Sequence, residues 1–213
     1  MSLYTEYKLA LPHGVCPGVG VGGHFTHGGY GYQARSWGLA LDSIVALDVV
    51  LANGTVIQTN DTQHPDIFFA MRGAADSFGI VTQFYLQTHP VPEEIVVFTA
   101  RIPAVLDDPE VAAQAFLKLQ KTVVDPEYFS ASLSFSVYIN GKGTFTIRGW
   151  CIECDMTTFK DVTFPKLLEG FPNPSSTDVT TMAWVESMYP SGILQLFRNK
   201  PKLTLICRSN TSQ

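Results

Sequence analysis

Between residues 13 and 31 the chain reads His13-Gly14-Val15-Cys16-Pro17-Gly18-Val19-Gly20-Val21-Gly22-Gly23-His24-Phe25-Thr26-His27-Gly28-Gly29-Tyr30-Gly31. Residues without a β-carbon let a backbone approach a bulky ligand closely and aim several N–H groups at phosphate or carbonyl oxygens. A flat or polyanionic molecule suits such a surface. Cys16 adds a sulfur that could act as a nucleophile. Two plainer readings stand beside these: a glycine-rich turn with structural duties only, and a cysteine that is a small buried hydrophobe.

The spacing Gly18-x-Gly20-x-x-Gly23, with Asp42 about 20 residues on, formally fits a dinucleotide-binding fingerprint. That motif needs a buried strand before it and a helix opening inside it, whereas here Pro12 and Pro17 precede the glycines and more glycine follows. No Gly-Lys-Ser or Gly-Lys-Thr makes a phosphate loop of it either. His13, His24, His27, His64 and His89 lack metal-ligand spacing, so no metal site is expected. Cys151-x-x-Cys154 has no second pair at zinc spacing and reads as structural.

The elements that must hold this loop follow from periodicity. Residues 3–9 suit a short helix, and the glycine stretch suits neither helix nor regular strand. Residues 43–51 are rich in β-branched side chains and lead through Asn53-Gly54, a type I′ signal, into a second strand over 55–58. Residues 64–72 predict a helix with Phe68, Phe69 and Met71 available for packing, and 79–88 a strand. His89-Pro90-Val91-Pro92 breaks the pattern and marks a domain boundary, giving units of 1–92 and 93–213. Beyond it lie a strand over 95–102, a helix over 109–123 with an apolar stripe of Val111, Ala115, Phe116, Leu119 and Val123, a hairpin over 130–152, a helical segment over 159–171 despite Pro165, and a loop over 172–176. The fold class is α+β.

Composition sets the partners. Of 213 residues, 46% are hydrophobic and 15% charged, an ordinary globular balance, and the net charge of -5 argues against nucleic acid or anionic lipid. No apolar run reaches the ~18 to 20 residues of a membrane span. The amino terminus lacks the basic and apolar regions of a secretory leader. Asn53-Gly54-Thr55, Asn60-Asp61-Thr62 and Asn210-Thr211-Ser212 nevertheless fit the N-glycosylation pattern, a hint of an extracellular glycoprotein.

Gly14-x-Cys16-Pro17-x-Val19-Gly20-x-Gly22-Gly23-His24, continued by Gly28-Gly29-x-Gly31, resembles the flavin-facing loop of berberine-bridge-type FAD-linked oxidases, including glucooligosaccharide oxidases, within the vanillyl-alcohol-oxidase fold. The resemblance runs on through Trp37-Gly38-Leu39-Ala40, Asp42-Ser43-Ile44, Val50 to Gly54, Asp66 to Gly73 and Phe78 to Thr82. Residues 3–92 match closely and 93 to about 190 loosely, whereas the ending beyond about Ser191 is unlike the family. The resemblance implies the second part of a PCMH-type FAD-binding domain, followed by part of an antiparallel-sheet-plus-helices substrate domain.

It also implies roles. Cys16 would bond through sulfur to C6 of the isoalloxazine of FAD, and Gly20, Gly22, Gly23, Gly28 and Gly29 would line the cofactor. His24 would fix the ribityl chain or the loop itself. Val19 stands where oxygen access is gated in oxidases. Tyr30 would line the substrate pocket, unless it is a packed core aromatic. Gly79, Ile80 and Val81 would run beside the adenine, unless they simply start a strand.

The function so implied is oxidation of an alcohol or sugar hemiacetal, possible carbohydrates included, with molecular oxygen as acceptor and hydrogen peroxide as product. The phosphate-cradling half with its histidine anchor, and the catalytic tyrosine of the sugar-oxidising members, are expected outside this sequence. A truncated, non-catalytic remnant that binds flavin weakly or not at all is the alternative.

Overall fold

The computed structural model describes residues 2–16, 18–126, 129–140, 143–187 and 206–209. The chain forms two compact units, one of residues 1–91 with 188–213 and the other of residues 92–187.

The first unit opens with helix α1 (Ser2–Tyr7) and strand β1 (Leu9–Ala10), then two short helices, α2 (Val21–Thr26) and α3 (Ala34–Trp37). The hairpin β2 (Ile44–Leu51) and β3 (Val56–Thr59), helix α4 (Pro65–Met71) and the long strand β4 (Gly79–Pro90) complete its frame. Four of the described strands are ordered β1-β4-β2-β3 with antiparallel pairing.

Two register shifts interrupt the β2–β4 ladder, between Ile44 and Ala46 and between Asp48 and Val49. Each inserts one unpaired residue and turns the strand by a face. The core side therefore takes Ile44, Leu47 and Val49 from β2, and Val81, Phe84 and Leu86 from β4, at spacings of three and then two. Phe68 and Met71 of α4 close over them, as does Phe25 of α2, whose ring lies 6.2 Å from that of Phe84. Each large side chain so buried stabilises the unit by about 1.5–3 kcal/mol.

Several expectations are corrected here. A helix does form inside the glycine stretch, because Val21 and Phe25, four residues apart, share one apolar face against this core. The turn after β2 is not type I′: Gly54 alone has positive φ, at 82°, and its N–H donates to the Leu51 carbonyl, while Asn53 Oδ1 accepts from Thr55 N–H at 3.0 Å. This is a three-residue loop in which only the glycine needs the left-handed region. Phe69 is 78% exposed, since α4 buries the stripe of Phe68 and Met71 and turns Phe69 away. The break at His89 comes later, because β4 continues to Pro90 to pair with Leu9 and Ala10.

In the second unit, β5 (Glu94–Arg101) leads to helix α5 (Pro109–Thr122), the hairpin β6 (Leu133–Asn140) and β7 (Thr144–Ile152), two helices α6 (Met156–Thr158) and α7 (Phe164–Leu168), strand β8 (Ser176–Ala183) and a last turn α8 (Trp184–Ser187). The sheet order is β6-β7-β5-β8, antiparallel throughout. One face carries Val96, Phe98 and Ala100 of β5 with Phe145, Ile147 and Cys151 of β7. Against it pack Ala115 and Leu119 of α5 and Phe159, Phe164 and Leu167 of the later helices. Strand β9 (Ile206–Ser209) belongs to the first unit, where it pairs in parallel with β4.

Asp108 caps α5 by accepting from Glu110 N–H at 2.7 Å, and Pro109 fills the first helical position, which needs no donor. The buried stripe is Ala115, Leu119 and Thr122, with Val111 and Phe116 on the exposed shoulders, which corrects the expected one. Asp155 caps α6 in the same way, and its hydrogen bond from Thr158 N–H holds its carboxyl below the usual carboxylate range. The turn Phe159–Thr163 between α6 and α7 widens to i→i+5 bonding, Phe164 N–H donating to the Phe159 carbonyl. That widening accommodates Pro165, which has no N–H and would crowd a carbonyl one turn back. Strand β8 was not legible, because it is a half-exposed edge strand without apolar alternation.

Gly149 of β7 lies where a β-carbon would run into the Ser134 carbonyl and stand 2.6 Å from Phe135 Cβ and 2.7 Å from Phe98 Cζ. Gly149→Ala is therefore expected to destabilise this unit by about 1–3 kcal/mol, read as a lowered urea midpoint in the fluorescence of Trp150 and Trp184. An unchanged midpoint would mean that β6 and β7 are not packed as described.

Candidate functional site

The glycine loop is organised by two histidines. His13 Nε2 lies 2.9 Å from Gln33 Nε2, an amide nitrogen that can only donate. His13 Nε2 must therefore accept, which puts the proton on Nδ1, where it is donated to the Gly14 carbonyl at 2.8 Å. Gln33 is fully buried, and Gly31 passes so close to the His13 carbonyl that a β-carbon there would collide with it.

His24 fills the next space. A β-carbon on Gly14 would stand 3.0 Å from His24 Cε1, and one on Gly29 3.0 Å from His24 Cδ2. Gly29 has φ of 82° and Gly28 of 104°, a consecutive left-handed pair that only glycine adopts readily. Their carbonyls accept from Ala40 and Leu41 N–H at 2.9 Å each. His24 Nε2 is buried with no hydrogen-bond partner among the described residues. Burial lowers the pKa of both imidazoles; for His13 this outweighs its bond to Gly14, and nearby His24 adds to the fall.

Gly18, Gly20, Gly22 and Gly23 are different. None has positive φ, and a β-carbon on any of them would meet no atom of the described chain within 4 Å. Gly22 and Gly23 even sit inside α2, where each costs about 1 kcal/mol relative to alanine. Within the chain's own fold nothing requires them.

Cys16 is free and exposed, which removes the buried-hydrophobe reading. It shares a turn with Val19, whose N–H donates to the Cys16 carbonyl at 3.2 Å, and Val19 is 58% exposed. Tyr30 is 63% exposed, which removes the core-aromatic reading. Gly79, Ile80 and Val81 lie elsewhere, opening β4 opposite Leu51, Val50 and Val49. The helix at Val21 opens with Gly20 at its cap, so that part of the argument against a dinucleotide fingerprint fails. The other part holds, because residues 11–16 before it form no strand. Among the described residues no cluster of His, Cys, Asp or Glu could hold a metal, and no helix is long and apolar enough to cross a membrane.

Residues 2–60 match the FAD binding domain family. Over 101 residues the chain is 48% identical to a xylooligosaccharide oxidase of Thermothelomyces thermophilus, a match covering 47% of the chain and 20% of the relative. Berberine bridge enzyme-like 23 of Arabidopsis thaliana is 31% identical over 199 residues, 85% of the chain and 34% of the relative. The chain is a relative of the berberine-bridge-type FAD-linked oxidases.

Solved structures of this family agree. The xylooligosaccharide oxidase from Myceliophthora thermophila C1 in complex with xylobiose superposes with a TM-score of 0.78 at 31% identity, over 94% of the chain and 40% of that structure. Glucooligosaccharide oxidase from Acremonium strictum, described as carrying 6-S-cysteinyl, 8α-N1-histidyl FAD, gives a TM-score of 0.73 at 26% identity, over 88% and 38%. The chain thus spans between a fifth and two fifths of these relatives' length. Sequence reasoning missed His13 and Gln33 as organisers of the glycine loop, since neither has a diagnostic spacing and their roles depend on a contact twenty residues apart.

Because both imidazoles are held neutral, their folded pKa values lie below the unfolded value of about 6.5. Above that pH neither state binds the proton and there is no effect. Below it the unfolded chain takes up protons that the folded chain refuses, so stability falls with pH until the folded pKa is passed. Thermal melts between about pH 7.5 and pH 5 should show this acid loss, and His13→Gln or His24→Gln should flatten it. An unchanged slope in both variants would show that other groups govern the acid limb.

Proposed function

We propose that this chain supplies one wall of the flavin site of an FAD-dependent oxidase, which oxidises the CH–OH of an alcohol or sugar hemiacetal with molecular oxygen as acceptor and releases hydrogen peroxide. The observation that carries the reading is the open face of Gly18, Gly20, Gly22 and Gly23. Four glycines that neither backbone conformation nor internal packing demands, two of them weakening a helix, are accounted for by a flat ligand lying directly on the backbone. His24, whose ring lies against Gly14 and Gly29, is assigned to fixing the loop itself.

When bound, FAD supplies the acceptor for the substrate hydride and passes its electrons to oxygen. The chain's own residues position and seal. Cys16, exposed on its turn, presents a thiol as the covalent tether, as in the cysteinyl flavin described for the Acremonium relative. Gly20, Gly22 and Gly23 admit the ring to the backbone, while Gly28 and Gly29 hold the return of the loop against residues 40 and 41. Val19, on the turn of Cys16, limits oxygen access by the size of its side chain. Tyr30 offers an exposed aromatic face to a substrate, with a carbohydrate favoured by the sugar-oxidising relatives.

Gly79, Ile80 and Val81 are assigned to the adenine side. Ile80 is 72% exposed, whereas Gly79 is already explained by packing, since a β-carbon there would stand 2.7 Å from Val49 Cγ1. In this reading residues 1–92 belong to the flavin domain and 93–187 to the substrate domain, while β9, which pairs with β4, goes with the first and not, as expected, with the second. An extracellular setting is supported by the Cys151–Cys154 disulfide and by the exposed turn at Asn53. Asn60 is compatible too, because its Oδ1 accepts from Thr62 and Gln63 and its Nδ2 is not part of those bonds; Asn210 lies outside the described residues.

The test uses the complete reading frame that holds this sequence. The purified protein is precipitated in acid and its flavin followed by absorbance and mass. Cys16→Ala should lose the cysteinyl-flavin spectrum; Gly22→Ala should raise the melting temperature of the flavin-free protein through about 1 kcal/mol of helix propensity while weakening flavin retention. A full cysteinyl spectrum in Cys16→Ala would sink the assignment.

Val19→Leu should slow reoxidation of the reduced flavin in stopped flow and leave reduction by substrate nearly unchanged. Equal reoxidation rates would remove Val19 from that role.

A further inference from the structure

At the end of α2, His27 reaches across to the turn Ala75–Ser77, its Nε2 3.1 Å from Asp76 Oδ1. The other ring nitrogen is turned back on its own helix: Nδ1 lies 3.1 Å from the Gly23 carbonyl and 3.0 Å from Thr26 Oγ1. Thr26 is buried, and its hydroxyl donates its one proton to the Gly22 carbonyl at 2.8 Å, so towards His27 it can only accept. Both ring nitrogens thus meet acceptors. A neutral imidazole has one N–H and one lone pair whichever tautomer it takes, and would leave one of these contacts without a proton. The arrangement is complete only when each nitrogen carries one.

The two ends of this bridge lead to the two stretches assigned above to the flavin. Helix α2 has Gly20 at its cap and contains Gly22 and Gly23, while the turn Ala75–Ser77 runs through Phe78 into Gly79, Ile80 and Val81 at the start of β4. Both ends are anchored, because Phe25 and Ala75 lie in the same core and the N–H groups of Ser77 and Phe78 donate to the Ala74 and Ala75 carbonyls. Among the described ion pairs Asp76 is the partner of His27. His24, one turn back on α2, is kept towards the neutral form by burial, and Asp42, in the turn that packs on α2, accepts from Leu39 N–H at 2.8 Å. The ring of His27 is 45% exposed and the Asp76 carboxylate 78%, so solvent screens the pair and it adds little to global stability. Its consequence is geometric.

We propose that His27 is a positioning residue: as an imidazolium between the Gly23 carbonyl and Asp76, it sets the spacing between residues 20–23 and 79–81. The proposal rests on the flavin reading, which gives those two stretches to one ligand. Loss of the Nδ1 proton leaves a lone pair against the Gly23 carbonyl, and the Thr26 hydroxyl can relieve it only by leaving the Gly22 carbonyl. Helix α2, already weakened by two glycines, then loosens at its last turn. The latch holds at low pH and opens as pH rises through the range in which imidazoles lose their charge.

The experiment is hydrogen–deuterium exchange of the complete protein, flavin-free and flavin-loaded, at about pH 6 and about pH 8, corrected for the intrinsic pH dependence of exchange. In the flavin-free protein, residues 21–27 should be about threefold better protected at the lower pH, and raised salt should diminish the difference. His27→Gln and Asp76→Asn should each abolish it, the double variant should go no further than either alone, and Asp76→Glu should keep part of it. In the loaded protein the visible absorption of the flavin should shift over the same range in the wild type and stay constant in His27→Gln. Equal protection at both pH values, a difference that survives in both single variants, or a flavin spectrum indifferent to pH in the wild type would overturn the proposal. Cys16→Ala decides the flavin reading by itself, so a tethered flavin with a flat exchange profile would remove only the role of His27.

Discussion

The space between Gly14 and Gly29 is taken by one imidazole, and the course of the loop around it follows. His24 stands 3.0 Å from the β-carbon positions of both glycines, so a side chain on either segment would press on the ring. The segment around Gly14 is fixed from the other side by His13 and Gln33, and the segment around Gly29 by Ala40 and Leu41. What is left to face outward is Cys16, Val19 and the glycines that lead into α2. The loop's chemistry is thus a remainder. Residues with packing duties point in, and those without them form the surface that the flavin reading uses.

The two sheets solve the same problem differently. In the first unit two bulges let β2 and β4 send a 3-then-2 series of side chains inward, against which Phe25 of α2 and Phe68 and Met71 of α4 pack. In the second unit the alternation over β5 and β7 is regular enough to leave one face wholly apolar under the helices. The price of that regularity is Gly149, the one β7 position where a neighbouring strand and a phenyl ring leave no room for a methyl group.

Most strands and the long helix were legible because their period, 2 or 3.6, is set by burial on one side, which composition records. The match of the loop to a family was legible because glycine spacing and Cys16 are uncommon together. What could not be read had no periodic signature. Strand β8 is polar and pairs on one edge only; α2 is held by two apolar residues against the propensity of its glycines; the turn at Asn53 takes the left-handed region at Gly54 alone. Likewise Gln33 looks like any polar residue until its burial and its bond to His13 are seen. The roles of Gly79 and Gly22 were indistinguishable in sequence, yet one glycine is needed by its neighbours and the other is not.

The disulfide between Cys151 and Cys154 spans a separation of three residues and encloses Glu153, which has φ of 57°. A ring so small removes little freedom from the unfolded chain, so its effect on global stability is slight. Its effect on direction is large. Cys151 lies in the core one residue before β7 ends and Cys154 precedes the cap of α6, so the bond works as a hinge pin, setting the angle at which the chain leaves the strand for the helix. The oxidation state of the surroundings thereby becomes a geometric variable of this corner, one that the rest of the sheet need not feel.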